Sequence, residues 1–265
     1  TTEIYTLSLH DALPIYTPPT LNTEMTQVKS MLNTVIPMVS SSITPTYFVY
    51  DGAFGNYAAA QMTRDVGLHL ISKLRFDSAL HMPYDGDYSG RGAPKKYGDK
   101  VDFKAIPEKY LYSTQQEKDV ETKIYQIELL HKRFSTPLNV VILCKKNKTT
   151  GKQSQVLLFS TDLRLEGPKI IEYYRLRFQI EFNFRDAKQH WGLEDFMVIR
   201  KKKVNNAAQI SMFMINVSQA LMKSRQEESV IDLKAHFHGL RYVKEVLKIL
   251  QKNGTNIKKI GRAHV

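Results

Sequence analysis

Four polar side chains recur at regular intervals in the stretch YYRLRFQIEFNFRDAKQ: Tyr174, Arg177, Glu181 and Lys188. On an α-helix, which turns by about 100° per residue, these four positions fall within a sector of roughly 60°. They combine a carboxylate, which can bind a metal ion, with a phenol and two cations, which can hold phosphate oxygens. If this helix face lines a cleft, its residue types suit chemistry on a phosphodiester.

Large apolar residues flank this charged stripe, with Phe178 on one side and Phe184 on the other. A helix that is apolar on both sides of such a stripe is expected to be buried on both, so that the stripe faces a cleft. The alternative is a solvent-exposed surface whose Arg177–Glu181 and Glu181–Arg185 pairs contribute about 0.2–0.5 kcal/mol each. Spacing alone leaves both interpretations open.

The elements that must position the stripe alternate between strands and helices. The runs TYFVY (46–50) and LHLISKLR (68–75) are short and β-prone, and NYAAAQMTRDVG (56–67) between them has the pattern of a helix closed by a glycine. This order favours a βαβ unit with parallel strands, and therefore an α/β fold. Further along, LNVVILCKKN (138–147) and QSQVLLFSTD (153–162) flank KTTGK and predict an antiparallel hairpin.

Two aspartates that follow predicted strands could supply a second carboxylate beside Glu181. Asp51 comes at the end of the first strand, where α/β sheets place their active sites, and Gly52 would let the backbone turn away. Asp162 is its rival. A simple Asp-Gly turn would also explain Asp51, and a loop before the stripe helix would also explain Asp162. Converging carboxylates favour Mg²⁺ or Mn²⁺, and two such ions about 3.5–4 Å apart could activate a water or a 3′-hydroxyl against a phosphodiester.

The balance of charge favours a polyanionic partner. The chain has 38 Lys and Arg against 26 Asp and Glu, and no apolar run approaches the ~18 residues of a membrane span, so nucleic acid is favoured over a membrane. The single cysteine, Cys144, indicates a reducing compartment. Two basic stretches, GRGAPKKYG and IRKKKVNN, are candidate DNA contacts, with a solvated surface as the alternative. The candidate contacts are Arg91, Lys95, Lys96, Arg185, Arg200, Lys201, Lys202 and Lys203.

The spacing Y-x2-R-x3-E-x6-K, met by Tyr174, Arg177, Glu181 and Lys188, resembles the signature of a large family of bacterial insertion-sequence transposases. The contexts YYRLRFQIEFNFRDAKQHWGLEDF and YFVYDGAFGN match the same family. The resemblance covers most of residues 43–223.

This resemblance implies an RNase H-like fold with a DDE metal site, in which Glu181 is the glutamate and Asp51 the second aspartate. Tyr174, Arg177 and Lys188 look like the family's phosphate-contacting residues. The implied activity is metal-dependent DNA cleavage and strand transfer at the ends of an insertion sequence. It implies two Mg²⁺ or Mn²⁺ ions, double-stranded DNA as element ends and target, a homodimer on paired ends, and a bacterial cytoplasm with association to the nucleoid.

The same resemblance, with the changes of composition along the chain, predicts six segments. They are an adapter-like stretch at 1–15, a partial RNase H-like core at 16–76, a β-rich insertion at 77–165, the glutamate helix and following helices at 166–223, a helical segment at 224–259 and an adapter-like stretch at 260–265. The two outer stretches, TTEIYTLSLHDALPI and IGRAHV, resemble translated sequencing adapters.

The first aspartate of the DDE pattern is the main departure. It belongs on the opening strand of the fold, upstream of Asp51, but residues 16–50 contain no aspartate. We therefore expect a fragment that lacks the N-terminal strands of the fold and is catalytically inactive. Two other functions stay open, namely DNA binding without catalysis and a host nuclease with the same fold.

Overall fold

The computed structural model describes residues 20–88, 90, 92–226 and 229–252. The adapter-like stretches 1–15 and 260–265 and the candidate contact Arg91 lie outside the described residues. The chain divides into two compact units, Thr1–Arg177 and Phe178–Val265.

The first unit is built on a mixed sheet of eight strands within the described residues. The strands are β1 (Tyr47–Val49), β2 (His69–Leu74), β3 (Leu80–Pro83), β4 (Tyr97–Lys100), β5 (Leu111–Glu117), β6 (Val120–His131), β7 (Leu138–Asn147) and β8 (Gln153–Ser160). Their order across the sheet is β1-β2-β8-β7-β6-β3-β4, with β5 paired to β6. β1 and β2 run parallel, and the other pairs are antiparallel.

Three helices accompany this sheet: α1 (Thr23–Val39), α2 (Tyr57–Asp65) and α3 (Gly167–Leu176). α2 connects β1 to β2. Its first turn is capped by the side chain of Asn56, which accepts from an amide of that turn at 3.0 Å. Gly67 follows its end with a φ of +79°, a conformation that favours glycine. The predicted βαβ unit with parallel strands and the predicted hairpin of β7 and β8 are both confirmed.

Each face of the sheet carries its own apolar core. One core contains Met25 of α1, Met62 of α2 and Leu70 of β2. The other contains Ile71 of β2 and Ile170 of α3. Because successive residues of a strand point to opposite faces, the neighbours Leu70 and Ile71 belong to different cores. α3 is thereby held against the face opposite to α1 and α2.

The predicted β-rich segment, residues 77–165, contributes β3 to β8 to this sheet. β8 pairs with β2, from Ile71 opposite Ser160 to Leu74 opposite Leu157. Strands from both sides of residue 76 are therefore hydrogen-bonded in one sheet. The architecture is α/β, as predicted; its sheet is open and mixed, which is consistent with a partial RNase H-like fold.

The stretch that carries the charged stripe forms two helices and not one. α3 ends at Leu176, and α4 (Phe178–Trp191) begins two residues later. Between them the amide of Arg177 donates to the carbonyl of Tyr174, three residues back, at 3.2 Å. An α-helical hydrogen bond spans four residues, so the backbone tightens here to the spacing of a 3₁₀ turn. The prediction of one uninterrupted helix is wrong for this reason.

The second unit contains α4, α5 (Lys201–Arg225) and α6 (Val230–Lys252). Its small apolar core includes Ala187 of α4, Ile215 of α5, and Leu193, which lies between these two helices. Ala187 is the residue of α4 that is buried among those described. The buried side chain of this helix is therefore a short one.

The predicted burial of both apolar flanks of the stripe is wrong for α4. Phe178, Ile180, Phe182 and Phe184 are between 44% and 52% exposed. The helix is packed through the side that carries Ala187, so the large residues on its flanks remain accessible.

Candidate functional site

Asp51 lies just beyond β1, and two hydrogen bonds hold it there, one to its side chain and one to its backbone carbonyl. Its side chain accepts a hydrogen bond from the amide of Ala53 at 2.9 Å, which caps a short 3₁₀ turn at Gly52–Phe54. The hydroxyl of Ser72, on the neighbouring strand, donates to the carbonyl of Asp51 at 2.5 Å. The carboxylate is therefore held at the carboxyl end of a parallel strand, where α/β folds place functional groups.

The glycine that this turn requires is Gly55 and not Gly52. A Cβ added at Gly55 would lie 2.2 Å from the carbonyl oxygen of Lys73, which is backbone and cannot move aside. A Cβ added at Gly52 would meet the same oxygen at 3.6 Å, an ordinary contact. The sequence-based role of Gly52 is therefore corrected: the tight approach of the turn to β2 occurs three residues later.

Tyr174 and Arg177, at the end of α3, lie in the same unit as Asp51. The guanidinium of Arg177 is 5.8 Å from the centre of the Tyr174 ring, a cation–π distance. Burial raises the pKa of the Tyr174 phenol above its usual value; the positive charge of Arg177 opposes this shift and the carboxylate of Asp51 adds to it. The first unit therefore brings together Asp51, Tyr174 and Arg177.

Asp162 lies at the opposite end of the strands from Asp51. Its Oδ2 accepts from the hydroxyl of Tyr47, at the start of β1, at 2.8 Å, and its Oδ1 accepts from the amide of Arg164 at 3.0 Å. Burial alone would raise the pKa of Asp162, but these hydrogen bonds and the nearby His69 hold it below its usual value. Asp51 follows the other end of β1, so the two rival carboxylates do not lie together.

A buried amide network holds the loop that leads into α3. Asn139, on β7, is 3% exposed and donates to the carbonyls of Asp162 and Leu165 at 3.1 and 2.7 Å. Gln126, on β6, donates to Asn139 at 3.0 Å and accepts from the amide of Gly167 at 2.8 Å. These bonds set where α3 begins, and therefore where Tyr174 lies. Sequence reasoning missed both amides because their partners are distant in the chain.

Glu181 and Lys188 belong to α4 and hence to the second unit. Glu181 lies in the first turn of α4. The ammonium of Lys188 is 2.7 Å from a carboxylate oxygen of Glu194, beyond the end of the helix. Arg185 lies 4.9 Å from the centre of the Phe182 ring. Lys188 is thus in an exposed ion pair, a contact that contributes little stability and that a phosphate could replace.

The other predicted DNA contacts lie on two surfaces. In the first unit, Lys95 is 4.7 Å from the ring centre of Tyr84, and Lys96 is 5.8 Å from that of Tyr97. In the second unit, Arg200 is the N-cap of α5, whose first turn is made of three lysines. Positive charges at a helix N-terminus oppose the helix dipole, and a bound anion would relieve that repulsion. The lysines of this turn are Lys201, Lys202 and Lys203.

Among the described residues, no group of three or more His, Cys, Asp or Glu side chains converges in a way that could hold a metal ion. Asp51 offers a carboxylate oxygen of the kind that hard cations prefer. It supplies one ligand in the first unit and not a complete set. Among the described helices, none combines the length and the apolar composition needed to cross a membrane.

Comparison with known families gives a match over most of the chain. A family model described as a transposase DDE domain matches residues 15–217. The matched range contains Asp51 and the whole Tyr174–Lys188 signature. A comparison with curated proteins finds no matching relative.

Proposed function

Because the chain belongs to the family of transposase DDE domains, we propose that it derives from an enzyme that cleaves DNA at the ends of an insertion sequence and transfers the strands to target DNA. The observation that carries this proposal is the grouping of Asp51, Tyr174 and Arg177 in the first unit. A carboxylate beside a guanidinium and a phenol suits a phosphodiester, because the cation and the hydroxyl can bind its oxygens.

The family generally uses divalent metal ions, and we propose Mg²⁺ or Mn²⁺, in a two-ion site, for this member. Asp51 and Glu181 are the proposed ligands, since carboxylate oxygens suit these hard cations. When bound, such ions activate the attacking oxygen and stabilise the leaving one. Arg177 and Tyr174 would hold the phosphate and fix its orientation, and Lys188 would exchange its ion pair with Glu194 for a phosphate contact.

DNA binding is implied by the family, and we propose double-stranded DNA, as element ends and as target, with two copies of the protein on paired ends. The supporting feature is the excess of basic residues, which gives a formal net charge of +12. Neutralising DNA phosphates releases counterions and strengthens binding at low salt. The proposed contacts are Lys95, Lys96, Arg185, Arg200, Lys201, Lys202 and Lys203. The bacterial cytoplasm, in association with the nucleoid, is the proposed location.

A comparison of Asp51→Asn with Asp162→Asn tests the proposed site. Because the site lacks one carboxylate, we expect the unmodified chain to bind Mn²⁺ only weakly, measured by electron paramagnetic resonance, and Asp51→Asn to weaken that binding further. Asp162→Asn is the matched control and should retain it, because Asp162 lies at the other end of the strands. Loss of Mn²⁺ in Asp162→Asn alone would reverse the assignment of the second aspartate.

DNA binding and DNA cleavage are measured separately, because the polypeptide itself is predicted to be inactive. Fluorescence anisotropy with a duplex should give an affinity that falls steeply with salt and that Arg177→Ala weakens. Nicking of a supercoiled plasmid with Mg²⁺ or Mn²⁺ should be absent. Nicking that Asp51→Asn abolishes would contradict the predicted inactivity and support the enzyme. Absence of duplex binding would contradict the proposed function.

A further inference from the structure

A cavity of about 550 Å³ lies beside Asp51 in the first unit, lined in part by Gly52, Lys73, Phe76 and Tyr174. This volume is within the range of about 300–1,000 Å³ that is typical of small-molecule sites. The Cβ of Lys73 lies 3.8 Å from the position that a Cβ on Gly52 would occupy. The cavity is therefore continuous with the turn that carries the candidate carboxylate.

Lys73 provides this cavity with a positive charge, and no described residue forms an ion pair with it. Its side chain is exposed and makes no ion pair or hydrogen bond to any described residue. Arg75, which also lines the cavity, donates from Nε and Nη2 to the two carboxylate oxygens of Asp77, each at 3.0 Å. An anion in the cavity could therefore bind Lys73 without displacing a described ion pair, whereas binding Arg75 would displace Asp77.

Phe76 adds an aromatic surface to the same cavity. Its side chain is 77% exposed, although a phenylalanine of a soluble protein gains stability when it is buried. An exposed ring and an uncommitted cation that line one cavity are the combination that binds single-stranded nucleotides, since the ring stacks on the base and the cation binds the phosphate. The cavity thus offers Phe76 for the base of a nucleotide and Lys73 for its phosphate.

We propose that this cavity binds the nucleotide next to the phosphate that is cut, with the ammonium of Lys73 on its phosphate and the ring of Phe76 on its unpaired base. This inference rests on the proposed function, because it takes Asp51 as the neighbour of the reacting phosphate. It adds two positioning residues that lie outside the Tyr174–Lys188 signature. It also predicts that an unpaired end binds better than a fully paired one.

The experiment uses the whole chain, with thymidine 3′,5′-bisphosphate as a probe of the cavity and a duplex with a short single-stranded end as a probe of DNA binding. Lys73→Gln and Phe76→Leu should each raise the Kd of the bisphosphate by about fivefold or more. Lys73→Arg should retain binding, because it keeps the charge. Lys100→Gln, an exposed lysine on β4, is the matched control and should change nothing.

Salt dependence gives a second measurement. The slope of log K against log salt for the duplex should become shallower by about 0.7–0.9 in Lys73→Gln, the value for one lost phosphate contact. A bisphosphate Kd that is unchanged in both Lys73→Gln and Phe76→Leu would overturn the cavity assignment and leave the proposed function standing, provided that Arg177→Ala still weakens the duplex. If the unmodified chain binds no duplex, the proposed function fails and the cavity assignment fails with it.

Discussion

Replacement of Asn139 by alanine should destabilise the first unit through the loop that leads into α3. Asn139 makes hydrogen bonds with Asp162, Leu165 and Gln126 at 2.7–3.1 Å, and it is 3% exposed. A net hydrogen bond contributes about 1 kcal/mol, so three of them amount to about 3 kcal/mol. The carbonyls that lose their donor are part-buried, and their incomplete solvation adds to this cost.

The measurement is urea unfolding followed by circular dichroism. We expect the midpoint to fall and the slope m to stay unchanged, since the surface exposed on unfolding is the same. Asn147→Ala is the matched control: that asparagine ends β7 and accepts from the amides of Thr149 and Thr150 in an exposed turn. Because water replaces part of these two exposed bonds, their loss should cost about 1 kcal/mol in total. A loss below about 1 kcal/mol for Asn139→Ala would refute the reasoning, because it would mean that the loop is held by other contacts.

The remaining predictions concern the turn after β1 and the pH dependence of stability. Gly55→Ala should cost about 1–3 kcal/mol in urea unfolding, because its Cβ would overlap a backbone oxygen at 2.2 Å, whereas Gly52→Ala, at 3.6 Å, should cost much less. Equal effects of the two substitutions would contradict the steric argument. The pKa of Asp162 is held below its unfolded value, so this carboxylate stabilises the fold above the unfolded pKa, and that stabilisation is lost as the pH falls through the folded pKa. Tyr47→Phe removes one of the hydrogen bonds responsible and should reduce the stability difference between pH 7 and pH 3; an unchanged difference would show that Tyr47 has no part in it.

Much of the sheet could be predicted because its signals are local. The βαβ unit of β1, α2 and β2 follows from two short apolar runs, a helical pattern between them and Gly67 at the end of the helix. The β7–β8 hairpin follows from apolar runs on both sides of KTTGK. In each case the pattern and the turn residues lie within a few positions of one another, so a single sequence contains them.

The parts that could not be predicted depend on contacts between distant residues. The helical stretch is interrupted at Arg177, but no proline or glycine stands beside that residue to indicate a break. The need for glycine at position 55 depends on the carbonyl of Lys73, on another strand. The partner of Lys188 is Glu194, beyond the helix end, and no helical spacing predicts it. Asp51 as a site residue could be proposed from its strand alone, and its place beside Glu181 stays a prediction.

The pairing of β2 with β8 also sets the order in which the sheet can assemble. Ile71 and Ser160 face each other across the sheet although about 90 positions separate them, and closing a loop of that length costs about 4 kcal/mol of chain entropy. β6, β7 and β8 are consecutive and joined by short turns, so they can pair early. During synthesis on the ribosome, β2 cannot pair with β8 until β8 has emerged. β1, which leads to Asp51, joins the sheet through β2. We therefore expect the edge that bears the candidate carboxylate to be completed late in synthesis, after the neighbouring sheet is in place.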